Sequence, residues 1–125
     1  MRVEFEPVDG GIMVIRCHGR FATGIDAAYL RQRCDELKAT GCRFAIAHLE
    51  SVPYIDSTGI GFLVAVHSGL SRLGGRLVLA SLTPFARETL QITRLLDVMI
   101  PYPSVQAALE ALRAPVEAAQ TAASS

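Results

Sequence analysis

The stretch Val52-Pro-Tyr-Ile-Asp-Ser-Thr-Gly-Ile-Gly-Phe-Leu-Val-Ala-Val66 decides how the chain folds. An apolar run, Arg43 to Leu49 (RFAIAHL), precedes it and is bounded by turn residues, which reads as a buried central strand. Past Asp56 the apolar residues change to helical spacing. A helix is therefore expected from about Ser57 to Leu73, stopped by Gly74-Gly75. On a wheel, Ile60, Leu63, Val64 and Leu70 form the core stripe, widened by Phe62, Val66 and Leu73. Ser57, Gly61, Ala65, Ser68 and Arg72 share another face, which carries only small side chains until Arg72. The helix begins with Asp56, Ser57, Thr58 and Gly59. Either Asp56 or Ser57 is simply its cap, or a hydroxyl is presented there for chemistry.

The remaining elements follow outward from this unit. Val3 to Glu6 alternates apolar and charged residues like a half-buried strand. Asp9-Gly10-Gly11 is a turn, and Ile12 to Cys17 is its partner strand, giving a hairpin. Gly19 to Gly24 is a loop. Thr23 with Asp26 resembles a capping box opening a helix whose Ala27, Leu30, Cys34 and Leu37 face the core. After Gly74-Gly75, Arg76 to Ala80 is a strand, and Thr83-Pro84 opens a helix to about Thr93. Val98 to Ile100 is expected as a short strand. Ser104 caps a last helix with the stripe Val105, Ala108, Leu109 and Leu112. Residues 114–125 are Ala-rich and expected to be a frayed or flexible tail beyond a domain at 1–113.

A hairpin followed by alternating helices and strands specifies an α/β fold. One domain is expected, with a mixed, mostly parallel sheet of four or five strands flanked by about four helices. The 125 residues, half of them hydrophobic, suffice for one core without staples.

Composition narrows the function classes. Twelve basic and twelve acidic residues give zero formal net charge, which disfavours a nucleic-acid binder driven by bulk electrostatics. The mean hydropathy of +0.33 is high. Yet the longest apolar run, Ile60 to Val66, contains Gly61 and falls far short of the ~20 residues of a membrane span. The surplus apolarity is assigned to a dense core or to an exposed patch for a partner. Three cysteines and no secretory signal fit reduced thiols and a cytoplasmic protein without membrane insertion. No close Cys or His pairs suggest a metal, and no cofactor is expected.

Catalytic motifs are incomplete. A nucleophile elbow needs a glycine two residues before the serine, where Ile55 stands. His48 is the nearest candidate base for Ser57, and Glu50 with Asp56 the nearest carboxylate pair. Gly19 to Gly24 match half a phosphate-binding loop, but Ile25-Asp26 replace its Lys-Ser/Thr. The chain is therefore not expected to be an enzyme. On the residues alone the cap is the simpler reading of Asp56 and Ser57. Even so, a helix N-terminus tolerates an added phosphate there.

The segments YIDSTGIGFLV and LGGRLVLASLTPFARETLQITRLLDVMIPYPSVQAAL together resemble the STAS domain family, and within it the bacterial anti-sigma factor antagonists. The resemblance runs from about Val3 to Leu112. It implies a protein that works by exchanging partners. The unphosphorylated form would bind an anti-sigma factor that is also a serine kinase, so freeing a sigma factor. Phosphorylation of Ser57 would block that binding, and a PP2C-type phosphatase would reverse it. The resemblance places Asp56, Thr58, Gly59, Ile60 and Gly61 beside Ser57 on the partner surface, with Phe21 and Thr23 from the neighbouring loop. Two departures bear on which kinase is recognised. The loop reads Gly19-Arg20-Phe21-Ala22-Thr23 where the family often carries an acid, and His48 and Glu50 stand where Asn or Asp is common. Two other readings compete: a STAS subunit of a transport or signalling complex without a phosphorylation switch, and an enzyme with Ser57 as nucleophile.

Overall fold

Strands β1 (Arg2–Val8) and β2 (Ile12–His18) form the expected antiparallel hairpin, in register from Arg2 opposite His18 to Val8 opposite Ile12. Helix α1 (Asp26–Ala39) leads to strand β3 (Phe44–Ser51), helix α2 (Ser57–Arg72) to β4 (Arg76–Ala80), and helix α3 (Pro84–Ile92) to β5 (Pro101–Tyr102). Helix α4 (Val105–Ser124) closes the chain. The computed structural model describes residues 2–8, 10–20 and 26–124, the side chains of 26 and 120–124 excepted. The expected capping box of Thr23 and Asp26 lies outside the described side chains.

The strand order is 1-2-3-4-5, and every pair after the first is parallel. Each parallel connection steps one place in the same direction. Right-handed crossovers then put α1, α2 and α3 on one face of the sheet. That face is closed by Ile15, Ala47, Leu49, Leu63, Leu79 and Leu90, all buried. The opposite face receives α4, where Val14, Ile46 and Val78 meet Ala108, Leu112 and Val116. Phe44 to Ala47 are buried on both sides, which is why the central strand reads as an unbroken apolar run.

Three expectations are modified. The arc that α2 buries is Gly59, Phe62, Leu63, Val66 and Leu70, whereas Val64 and Leu73 are exposed. The apolar surface of α2 is wider than its core contact, and packing chose its centre. The last strand is not Val98–Ile100. Arg94 adopts a left-handed conformation after α3, a 3-10 turn occupies Leu95–Asp97, and pairing begins at Pro101. Pro101 fits because β4 bonds to its neighbours: Leu79 and Ser81 donate to the carbonyls of Ile100 and Tyr102 at 2.9 and 3.0 Å. Pro101 thus points its missing N–H outward. The boundary expected at residue 113 does not end a helix. Helix α4 continues through Pro115, and Val116 extends the buried series Ala108, Leu112 by one more turn.

The β1 edge is closed by side chains from α1. Val3 donates its N–H to the Tyr29 hydroxyl at 2.9 Å, and its carbonyl accepts from the Arg33 guanidinium at 2.8 Å. Two residues on from Phe5, Pro7 repeats the outward register of Val3 and offers no N–H.

Two results test this account. A Cβ on Gly75 would lie 1.6 Å from the Arg43 carbonyl oxygen, where only backbone could yield. Gly75→Ala should cost about 3 kcal/mol in urea unfolding. The second concerns two histidines. His67 Nδ1 accepts from the Leu77 N–H at 3.4 Å, and burial with the nearby Arg76 charge lowers its pKa. His48 is lowered by burial and then by Arg16, against an opposing effect of Glu50. Both are neutral in the fold, so their contribution is complete above the ordinary histidine value of about 6.5 and declines as pH falls through the depressed folded values. Unfolding midpoints should drop as pH falls below about 6.5, and less steeply in His48→Gln/His67→Gln.

Candidate functional site

The C-terminal ends of the parallel strands are where the connections β3–α2 and β4–α3 emerge, and Ser57 stands there as the first residue of α2. Which residue caps the helix is settled by geometry. Asp56 is extended, at φ −125° and ψ −163°, and its carboxylate accepts from the Thr58 N–H at 2.9 Å. Its carbonyl accepts from the Ile60 N–H at 2.9 Å. The cap is therefore Asp56, and capping makes no demand on the Ser57 hydroxyl. Ser57 is exposed, and its side chain has no hydrogen-bond partner among the described residues. No acid lies in the first turn of α2 itself. The positive end of the α2 dipole thus lies at the same surface as the hydroxyl.

The other sequence-predicted residues divide. Asp56, Thr58 and Ile60 are half-buried beside Ser57, and Gly61 is exposed one turn further on. A Cβ built on Gly61 meets nothing within 4 Å, so this part of α2 is open. Gly59 is buried and serves the core rather than the surface. Phe21 and Thr23 lie outside the described residues. The small-residue face, Ser57, Gly61 and Ala65, forms one wall of a groove whose other wall is Ala27, Arg31 and Asp35 on α1.

One cluster at this end was not foreseen. The Arg20 guanidinium lies 4.5 Å above the Tyr54 ring, and Tyr54 stacks on Phe85 at 5.1 Å with planes 26° apart. The β2–α1 and β3–α2 connections contribute one residue each, and the first turn of α3 contributes the third. Phe85 remains 46% exposed, so the stack is a surface shelf rather than core. Thr83 ties the region together, since its hydroxyl donates to the Val52 carbonyl at 2.8 Å while accepting from the Ala86 N–H at 3.4 Å as the α3 cap. Residues thirty positions apart leave no periodic signature, and this contact could be found only in three dimensions.

His48 does not serve Ser57. Strand alternation sends Ala47 and Leu49 to the face that carries α2 and turns His48 to the other. There it lies 3.3 Å from an Arg16 nitrogen and 3.3 Å from Glu50. Glu50 is engaged on that same face, away from Asp56. The contact of His67 with Ser71, 3.3 Å from Nε2 to Oγ, is also unsuited to base catalysis. Nδ1 accepts from the Leu77 N–H, so the ring proton is on Nε2 and is donated toward the serine. Burial pushes the thiols of Cys17 and Cys34 up from their ordinary value, away from nucleophilic thiolate. Among the described residues no helix is long and apolar enough to cross a membrane.

The fold is found in several solved proteins. An anti-sigma factor antagonist from Mycobacterium paratuberculosis superposes with a TM-score of 0.79 at 24% identity, over 90% of this chain and 93% of that one. The anti-sigma factor antagonist SpoIIAA in its unphosphorylated form gives 0.75 at 21% identity, over 90% and 97%. The same Bacillus cell fate determinant in its phosphorylated form gives 0.69 at 22%, over 90% and 100%. A sulfate transporter family protein from Wolinella succinogenes gives 0.73 at 22%, over 90% and 93%. No curated protein matches the sequence. The STAS domain model matches residues 6–108, from the hairpin to the first turn of α4, and the chain therefore belongs to the STAS domain family.

Proposed function

We propose that this protein is an anti-sigma factor antagonist that acts by exchanging partners, with Ser57 as the phosphate acceptor. The observation that carries this reading is the division of labour at the start of α2. Asp56 caps the helix, which leaves the Ser57 hydroxyl exposed and without a hydrogen-bond partner among the described residues. A serine needed for the fold would be a poor switch, because modifying it would unfold the helix end. Here the hydroxyl can be modified while the cap stays in place. The chain is a binding module and performs no catalysis itself.

The mechanism is a change in one binding equilibrium. The unphosphorylated surface, comprising Ser57, Thr58, Ile60 and Gly61 with Asp56 at its edge, receives an anti-sigma factor that is also a serine kinase. Phe21 and Thr23 of the preceding loop are assigned to the same contact. Kinase action replaces the hydroxyl proton by a phosphoryl group carrying about 1.5–2 negative charges. Keeping that group in the interface requires stripping its water beside the Asp56 carboxylate. A penalty of about 3–4 kcal/mol weakens binding a few hundredfold. The fold need not change, since Asp56 still caps α2. A PP2C-type phosphatase restores the hydroxyl. The proposed setting is the cytoplasm.

The decisive experiment is a paired pull-down from host lysate with wild-type protein and Ser57→Asp, read by mass spectrometry. The expected result is a small serine kinase retained by the wild type and lost from the variant, both proteins having the same circular dichroism. Retention of one set of membrane-complex proteins by both would instead make the chain a subunit of a transport assembly. A second variant separates fold from surface. Gly61→Ala should raise stability by about 0.5–1 kcal/mol, since the site is helical and open, while weakening retention of the kinase.

A further inference from the structure

We propose that His48 is a proton-operated switch on the part of the sheet that α4 leaves open: the neutral ring links Arg16 on β2 to Glu50 on β3, and the protonated ring releases Arg16 to Glu6 while keeping Glu50. Strand alternation assembles this surface. Val14, Ile46 and Val78 meet α4, and alternation turns Glu4 and Glu6 on β1, Arg16 and His18 on β2, and His48 and Glu50 on β3 to the same side. The register sets Glu4 opposite Arg16 and Arg16 beside His48. On β4 the neighbour of His48 is the uncharged Ala80, and α4 turns Ala108, Leu112 and Val116 to the sheet.

Geometry fixes which ring nitrogen carries the proton. An Arg16 guanidinium nitrogen, which can only donate, lies 3.3 Å from Nδ1. A Glu50 carboxylate oxygen, which can only accept, lies 3.3 Å from Nε2. Neutral His48 therefore accepts at Nδ1 and donates from Nε2, and one ring carries a chain of contacts across two strands. A solvent proton can add only at Nδ1. It turns that nitrogen into a donor facing a donor and sets imidazolium against guanidinium. On the other side of the ring, the Nε2–H then meets the carboxylate with full charge. Arg16 has its second partner already in place, since its Nε lies 2.5 Å from a Glu6 carboxylate oxygen. The side-chain link between β2 and β3 opens, and two separate pairs remain, Arg16 with Glu6 and His48 with Glu50.

His48 is the histidine of this surface built to act in this way. Its side chain is 18% exposed, against 36% for His18. Burial and then the Arg16 charge lower its pKa, Glu50 opposes them, and His18 adds a smaller depression. His18 makes no such bridge, because its Nε2 meets Glu4 at 3.4 Å and Glu4 is also held by Arg2 at 2.8 Å. Three carboxylates and two guanidiniums stand in this network, so protonation of its two histidines reverses its formal charge from one negative to one positive. The switch lies on the other face of the sheet from α2 and does not depend on Ser57.

Proton–nitrogen correlation spectra of the imidazole rings, recorded from about pH 8 to about pH 4.5 together with the Arg16 Nε–H signal, test this. Neutral His48 should be the Nε2–H tautomer. The Arg16 signal should shift through the same midpoint as the His48 ring. That shift should vanish in His48→Gln and persist in His18→Gln. Arg16→Gln should raise the His48 midpoint and Glu50→Gln should lower it, whereas a ring that only fills space would respond to neither charge. A neutral His48 protonated on Nδ1, an Arg16 signal that does not follow the ring, or one that follows His18 instead, overturns the proposal. The tautomer and the shared midpoint are read in the wild-type protein, so the outcome does not hang on the folding of any variant.

Discussion

The hand of the crossover connection governs this molecule. Once β2, β3, β4 and β5 lie in sequence order and parallel, each connecting helix must fall on the same face of the sheet. Three helices crowd one side, and nothing in those connections can cover the other. The apolar residues that alternate toward the second side, Val14, Ile46 and Val78, would face water without α4. That is why the last helix runs past Pro115 instead of stopping there. Proline in a helix removes a hydrogen bond and crowds the preceding turn, at a cost of about 3 kcal/mol in an ordinary interior. Burying Val116 against the sheet opposes that cost.

The same parallel arrangement creates the end of the molecule that carries the candidate site. Every β-to-α connection emerges at the C-terminal edge of the sheet, so Arg20, Tyr54, Ser57 and Phe85 are gathered there from distant parts of the chain. The local chemistry is then set by one choice between two adjacent residues. Aspartate caps better than most residues and brings its own charge to the helix dipole. With Asp56 in that role, the neighbouring serine is held by the backbone and released from structural duty. A change at Ser57 therefore leaves the cap of α2 in place.

Much of the fold was legible because its signals are local. Gly10 and Gly11 marked the hairpin turn, and the apolar run Arg43 to Leu49 located the central strand. Thr83-Pro84 and Ser104 marked helix starts where hydroxyls do cap, with the Ala86 and Ala107 N–H groups as donors. The errors arose where tertiary forces decide. The wheel of α2 offered more apolar positions than one sheet face can bury, so Val64 and Leu73 looked like core. The strand at Pro101 was hidden because proline argues against a strand unless one knows it lies at an edge. At the site, Ser57 and its neighbours were legible from motif and resemblance. Which residue caps the helix was not, because Asp56 and Ser57 are both good caps and only the carboxylate's position decides. The aromatic shelf had no signature at all in one dimension.

Both margins of the sheet are blunted, by Tyr29 and Arg33 at Val3 and by Pro7 on one side and by Pro101 on the other. Strand addition would give a partner a row of main-chain hydrogen bonds, and no side-chain modification could cancel them. Blunted margins favour association through side-chain surfaces over strand addition, and the affinity of a side-chain surface can be removed by one altered group. Under the partner exchange proposed above, contacts on such surfaces are written and erased by a kinase and a phosphatase, without unfolding and without the persistence of a shared sheet.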